Sequence, residues 1–229
     1  MVFEAIIFDC DGVLVDSEVL AIRGERAALE TLGLIYSPQD YVRNFVGLHD
    51  RAFFEALRVD YRVRHDGEAP EDFEDRVLAG RGRERHLLQP IEGADEALRA
   101  ARRIVGKIGV ASSSRAHFLT SKLERTGLYE LAAPHVYSAD LVAEGKPAPD
   151  IFLYTAEKLG ADPARCLVLE DSENGVRAGQ AAGMGVWGFL GGGHIFQGHG
   201  ERLLEAGADR VSPDFADFLR QLDGAEGIG

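Results

Sequence analysis

Short apolar runs recur along the chain, with helical periodicity between them. Ala5-Ile6-Ile7-Phe8 is such a run near the start and predicts a buried strand. Residues 107–112, 135–138, 166–169 and 185–189 predict four more. Cys166-Leu167-Val168-Leu169 has no polar alternation, which predicts a strand covered on both faces. From about Ala94 onward, helical patterns lie between and after these strands, over 95–103, 116–126, 150–159, 174–182, near 201–206 and over 216–222. Gly127, Gly160 and Gly183 supply the stop signals of three of them. Repeated β-α units imply a parallel sheet with helices on both sides.

The stretch from Ser17 to about Gln89 breaks this rhythm. It shows helical periodicity over 19–32, 51–59 and 73–88 and no convincing strand. It therefore predicts a helical insertion of about 70 residues, the size of a small subdomain. Pro90-Ile91-Glu92-Gly93 reads as the returning linker, and Gly191-Gly192-Gly193-His194 as a mobile loop near the sheet edge. The expected organisation is an α/β Rossmann-like parallel-sheet core from residues 1–16 and 90–229, with a helical domain at 17–89.

Composition narrows the classes. The 229 residues include 45% hydrophobic and 28% charged positions, the balance of an ordinary soluble globular protein. A formal net charge of -13 argues against a broad nucleic-acid surface, which needs a basic face. No apolar run reaches bilayer-spanning length, and Met1-Val2-Phe3-Glu4 lacks an export pattern. The only cysteines, Cys10 and Cys166, sit in apolar strand-like settings and read as small buried residues in a reducing compartment. A cytoplasmic monomer is the expectation.

The candidate chemistry lies where the strands end. Asp9 and Asp11 close the first, and residues at i and i+2 of an extended chain point the same way. Gly12 permits a tight exit and leaves no side chain to crowd a ligand. Two carboxylates held together want a cation or a proton between them. The second strand ends in Ser112-Ser113-Ser114, Lys146 lies in the loop after the third, and Glu170-Asp171 ends the fourth. In an open parallel sheet, ligands collect beyond the carboxyl ends of the strands. Each piece has a plain structural reading: Ser112 as a helix cap, Lys146 as a loop charge, Glu170 as a surface acid. The ordered set does not.

The four segments Asp9-Cys10-Asp11-Gly12 with Asp16-Ser17-Glu18, Val110-Ala111-Ser112, Gly145-Lys146-Pro147 and Leu169-Glu170-Asp171-Ser172 together resemble the haloacid dehalogenase-like hydrolase superfamily. The likeness covers nearly the whole chain. It is greatest to the β-phosphoglucomutase and sugar-phosphate phosphatase group, whose helical cap follows the first strand. The resemblance implies that Asp9 is a nucleophile forming an aspartyl phosphate and that Asp11 is the general acid and base. It implies Mg²⁺ held by Asp9, Asp171, the backbone carbonyl of Asp11, and Glu170 directly or through water. Ser112 would donate to a phosphoryl oxygen and Lys146 would supply balancing charge. Gly12, Ser113, Glu18 and His49 are further candidates for contact with a small phosphorylated metabolite.

The family's mutases carry a histidine shortly after the first motif and an arginine in the cap, and those places hold Ala21 and Asp50 here. Alanine cannot hydrogen-bond and aspartate repels phosphate, so hydrolysis is favoured and a phosphosugar mutase is the alternative. A dehalogenase needs no second aspartate, and a phosphonatase needs a cap lysine, whereas no lysine lies between Met1 and Arg103. A phosphometabolite sensor without turnover is the non-enzymatic alternative, disfavoured because Asp9 and Asp11 are both present. His194 and His199, with no cysteine or acid at zinc-ligand spacing, are not expected to bind metal. Strand alternation points Cys10 into the core.

Overall fold

The computed structural model describes residues 3–46 and 50–226. Six strands, β1 (Ala5–Phe8), β2 (Lys107–Ser112), β3 (Val136–Ser138), β4 (Cys166–Glu170), β5 (Gly185–Phe189) and β6 (Arg210–Ser212), form one sheet in the order β3-β2-β1-β4-β5-β6. Every pairing is parallel. This is the doubly wound order, in which the chain builds outward from β1 on one side and then returns to its other side. The central strands β1 and β4 are buried at every residue, as uninterrupted apolar runs require in a sheet covered on both faces.

The chain divides into two compact units, residues 1–16 with 89–229, and residues 17–88. The second is helical: α1 (Ser17–Thr31), α2 (Pro38–Phe45), α3 (Asp50–His65) and α4 (Phe73–Gly82). Its core is built on Leu29, Leu34, Tyr41, Phe53, Leu57, Phe73 and Val77. Inside it, Glu25 is buried but accepts hydrogen bonds from Tyr41 Oη at 2.6 Å and from Arg81, so its charge is paired. The first unit carries the sheet and α5 (Ala94–Val105), α6 (Ala116–Arg125), α7 (Tyr129–Ala132), α8 (Asp150–Leu159), α9 (Glu173–Ala181), α10 (His199–Ala206) and α11 (Phe215–Glu226). One of its apolar clusters joins Ile7 and Val168 of the sheet to Ile151, Phe152 and Val176 of the helices. The chain leaves this unit and returns to it side by side. Asp16 N donates to Gln89 O at 3.2 Å, and Ile91 N to Leu14 O at 2.9 Å.

Three elements escape the apolar pattern. β6 has one apolar residue in three and pairs only at the sheet edge, so no periodicity marks it. α2 is announced by a cap instead: Ser37 Oγ accepts from Asp40 N, with Pro38 in the first turn. The four-residue α7 is too short to show a period. Helical periodicity over 73–88 resolves into α4 and a separate 3₁₀ turn at Arg85–Leu87. Among the described residues, no helix is long and apolar enough to cross a membrane.

Candidate active site

β1 and β4 pair in register Phe8 with Leu169, so Asp9 leaves one strand beside Glu170 and Asp171 of the other. Asp9 N donates to Leu169 O at 3.0 Å and holds this alignment. β2 flanks β1 on its other side and delivers Ser112 to the same end of the sheet. Asp9, Ser112, Glu170 and Asp171 are all buried. Four polar groups do not collect at the end of an apolar sheet without partners, and each has one.

Lys146 is the central partner. Its Nζ lies 2.5 Å from Asp9 Oδ1, 2.7 Å from Glu170 Oε1 and 3.1 Å from the carbonyl of Ala111. All three ammonium hydrogens are thereby used, and the ring of Phe152 lies 4.7 Å away on a further side. Burial alone would lower the Lys146 ammonium, but Asp9 and Glu170 outweigh it and hold it above its ordinary value. Burial pushes the Asp9 carboxyl well above the usual carboxylate range. Lys146 opposes this, while Glu170, Asp171 and Asp11 reinforce it.

Asp11 faces a second cation. Lys122 of α6 forms an ion pair with it, Ser114 Oγ donates to its Oδ2 at 2.8 Å, and Lys122 also reaches Ser114 Oγ at 3.0 Å. Ser112 Oγ accepts from Ser114 N at 3.0 Å and approaches Asp11 Oδ2 at 3.4 Å. Ser113 is exposed and Arg115 lies exposed at the start of α6. Gly12 has φ +80° and its N–H donates to Val15 O at 2.9 Å, which makes the tight exit from β1. A Cβ there would lie 1.9 Å from Asp171 Oδ2. Only glycine admits that carboxylate.

Glu170 accepts on both oxygens, from Lys146 on Oε1 and from Ser172 N and Oγ, each at 2.9 Å, on Oε2. Asp171 Oδ2 is 3.0 Å from His194 Nε2. The stretch from Gly191 to His194, expected to be mobile, is instead tethered. His194 is buried, and Gly193 N donates to Asp16 Oδ1 at 3.1 Å. Cys10 is buried, two residues beyond the end of β1. Its thiol is pushed well up by burial and by Asp11 and Asp9. Of the candidates in the helical unit, Glu18 lies in the first turn of α1, and His49 lies outside the described residues.

The donor set suits a hard divalent cation, because every acid in it offers carboxylate oxygen and the cluster crowds negative charge around Asp9. Among the described residues, no three acidic, histidine or cysteine side chains converge as a complete cage. Lys146, Lys122 and His194 take up the carboxylates. That arrangement fits Mg²⁺, which is commonly held by one or two carboxylates, with water and substrate phosphate completing the shell. Sequence reasoning missed Lys122 and the placement of His194 and His199, and it named Ser114 at the strand end without giving it a role. Lys122 stands two helical turns beyond Ser114 with no local motif to mark it.

The model of the haloacid dehalogenase-like hydrolases matches residues 3–183. The phosphorylated carbohydrates phosphatase of Thermotoga maritima is 33% identical over 207 residues, covering 90% of this chain and 92% of its own length. A crystal structure of a HAD family hydrolase from Deinococcus radiodurans R1, with bound phosphate and sodium, is 35% identical with a TM-score of 0.86, covering 98% of this chain and 96% of that one. The putative β-phosphoglucomutase of Thermotoga maritima is 30% identical with a TM-score of 0.74, covering 99% and 100%. The chain belongs to the haloacid dehalogenase-like hydrolases, in their phosphatase and β-phosphoglucomutase-like branch, and is an enzyme.

Proposed function

We propose that this enzyme hydrolyses the monophosphate ester of a small carbohydrate or polyol, with Asp9 as nucleophile and Asp11 as general acid and base. The observation that carries the reading is the pairing of buried Asp9 with Lys146, while Asp11 two residues on faces Ser114 and Lys122. A nucleophilic carboxylate must stay ionised out of water, and Lys146 favours that form. An acid–base group must be held in place at the reacting atoms, and Asp11 is held by hydrogen bonds that it accepts from Ser114 and Lys122. The carbohydrate class rests on the relative from Thermotoga maritima named for phosphorylated carbohydrates.

In the first step Asp9 attacks phosphorus, the P–O bond to the sugar breaks, and Asp11 gives its proton to the departing alkoxide. In the second, Asp11 takes a proton from water as that water attacks phosphorus. The acyl phosphate then breaks, freeing phosphate and regenerating Asp9. Ser112 at the end of β2 and Ser113 after it are the candidate donors to the phosphoryl oxygens, the bare Gly12 backbone is a further candidate contact, and Lys146 balances their charge. Asp9, Asp171 and the carbonyl of Asp11 would hold Mg²⁺, with Glu170 anchoring Lys146 and reaching the metal through water. When bound, Mg²⁺ shields the nucleophile from the anionic substrate. The helical unit, residues 17–88, is read as the cap that selects the leaving group, with Glu18 and His49 as its candidate contacts.

Phosphate release from a panel of sugar and polyol phosphates, with Mg²⁺ and with EDTA, tests the assignment. Metal-dependent release is expected, ranked by the leaving group. Conversion of a sugar 1-phosphate to its 6-phosphate faster than phosphate release would overturn it in favour of a mutase.

A further inference from the structure

Two histidines that follow β5, His194 in the loop and His199 at the start of α10, both close on one residue, Asp171. His194 Nε2 is 3.0 Å from the carboxylate Oδ2, and His199 Nε2 is 2.6 Å from the backbone carbonyl. A carbonyl only accepts, so His199 carries its proton on Nε2 and donates it there. Both rings are buried, stand 6.1 Å apart edge to face, and His199 packs against Phe196 at 5.1 Å.

The backbone around His194 is shaped to admit its ring. A Cβ on Gly12 would lie 2.8 Å from His194 Cε1, and a Cβ on Gly192 would lie 2.8 Å from both Cε1 and Nδ1. The Gly192 Cβ would also meet the carbonyl oxygen of Gly12 at 2.9 Å. The ring thus fills a slot between two side-chain-free positions, one in the loop after β1 and one after β5. Asp16 tethers the same loop by accepting from Gly193 N at 3.1 Å. Packing alone would be served by any apolar side chain, and a leucine would not cost the desolvation of an imidazole.

We propose that His194 and His199 are positioning residues for Asp171: His194 holds the carboxylate and His199 its backbone, so that the other carboxylate oxygen is presented to Mg²⁺. This rests on the reading of Asp171 as a metal ligand. A partner bonded to one oxygen of a ligating carboxylate fixes its rotamer before the metal arrives, and losing such a partner costs about 10–100-fold in metal affinity.

The test is Mg²⁺ titration of the 229-residue chain by calorimetry, without substrate, alongside thermal unfolding. His194→Phe fills the slot and removes the donor, and His194→Leu does the same with a smaller side chain should the first fail to fold. Either is expected to raise the Mg²⁺ dissociation constant by about tenfold. His194→Gln restores a donor and is expected to return it to within about threefold of wild type. His199→Leu is expected to weaken binding in the same direction. Unchanged Mg²⁺ affinity in a folded His194→Phe or His194→Leu protein overturns the positioning role and leaves the metal reading standing. Wild-type protein that takes up no Mg²⁺ overturns the metal reading and this inference with it.

Discussion

The carboxylate of Glu170 lies against the bare Cα of Gly175, so close that a Cβ there would stand 1.7 Å from Oε1. Gly175 occupies the first turn of α9, whose cap, Ser172, also binds Glu170 Oε2. The helix start and the acid at the strand end are therefore built as one piece. Gly175→Ala is expected to displace Glu170 and with it Lys146, at a cost of about 1–3 kcal/mol. Urea unfolding measures the cost, and unchanged stability would contradict this packing.

Lys146 is the only cation hydrogen-bonded to Asp9 among the described contacts, and it also binds Glu170. Lys146→Met leaves two buried carboxylates without it. Breaking a buried pair from one side costs about 3–5 kcal/mol, so a large fall in melting temperature is expected by calorimetry. A melting temperature within a degree or so of wild type would contradict the pairing.

The raised carboxyl of Asp9 has a signed consequence for stability. Its native value lies above the unfolded one, so native protein holds a proton where unfolded chain has lost it. Its contribution is therefore intact below the ordinary value of about 3.9 and declines as pH rises through the native one. Asp9→Asn stays neutral throughout. In EDTA, the unfolding free energy of wild type relative to Asp9→Asn is expected to fall as pH rises from about 4, then level off. A gap that moves the other way would mean that Lys146 outweighs burial at Asp9.

Most of this site was legible because it is written in local sequence. Asp9, Asp11, Ser112, Glu170 and Asp171 end or directly follow apolar runs, and the parallel register brings those ends together. Lys122 and His194 were not legible, since they reach Asp11 and Asp171 across 111 residues and across a glycine-rich loop respectively. No periodicity records a contact made by a long flexible side chain over that separation. β6 was missed for a related reason: an edge strand of three residues with one apolar side chain carries no pattern to read.

Both cysteines are buried, and both thiols are held up. Cys166 is raised to about 11, chiefly by burial and then by Glu4 and Asp162. Neither is expected to react with iodoacetamide at pH 8 in folded protein, while both are labelled in guanidinium. Mass spectrometry counts the adducts. Rapid labelling of Cys10 in native protein would place it outside the core.

The central claim, that Asp9 carries the phosphoryl group, is tested by rapid acid quench after mixing the enzyme with a sugar phosphate labelled at phosphorus. An acid-stable, base-labile protein-bound label is expected in wild type and absent from Asp9→Asn, whose phosphate release should fall at least ~10³-fold. Label that persists in Asp9→Asn, or phosphate release that survives the substitution, would contradict the account.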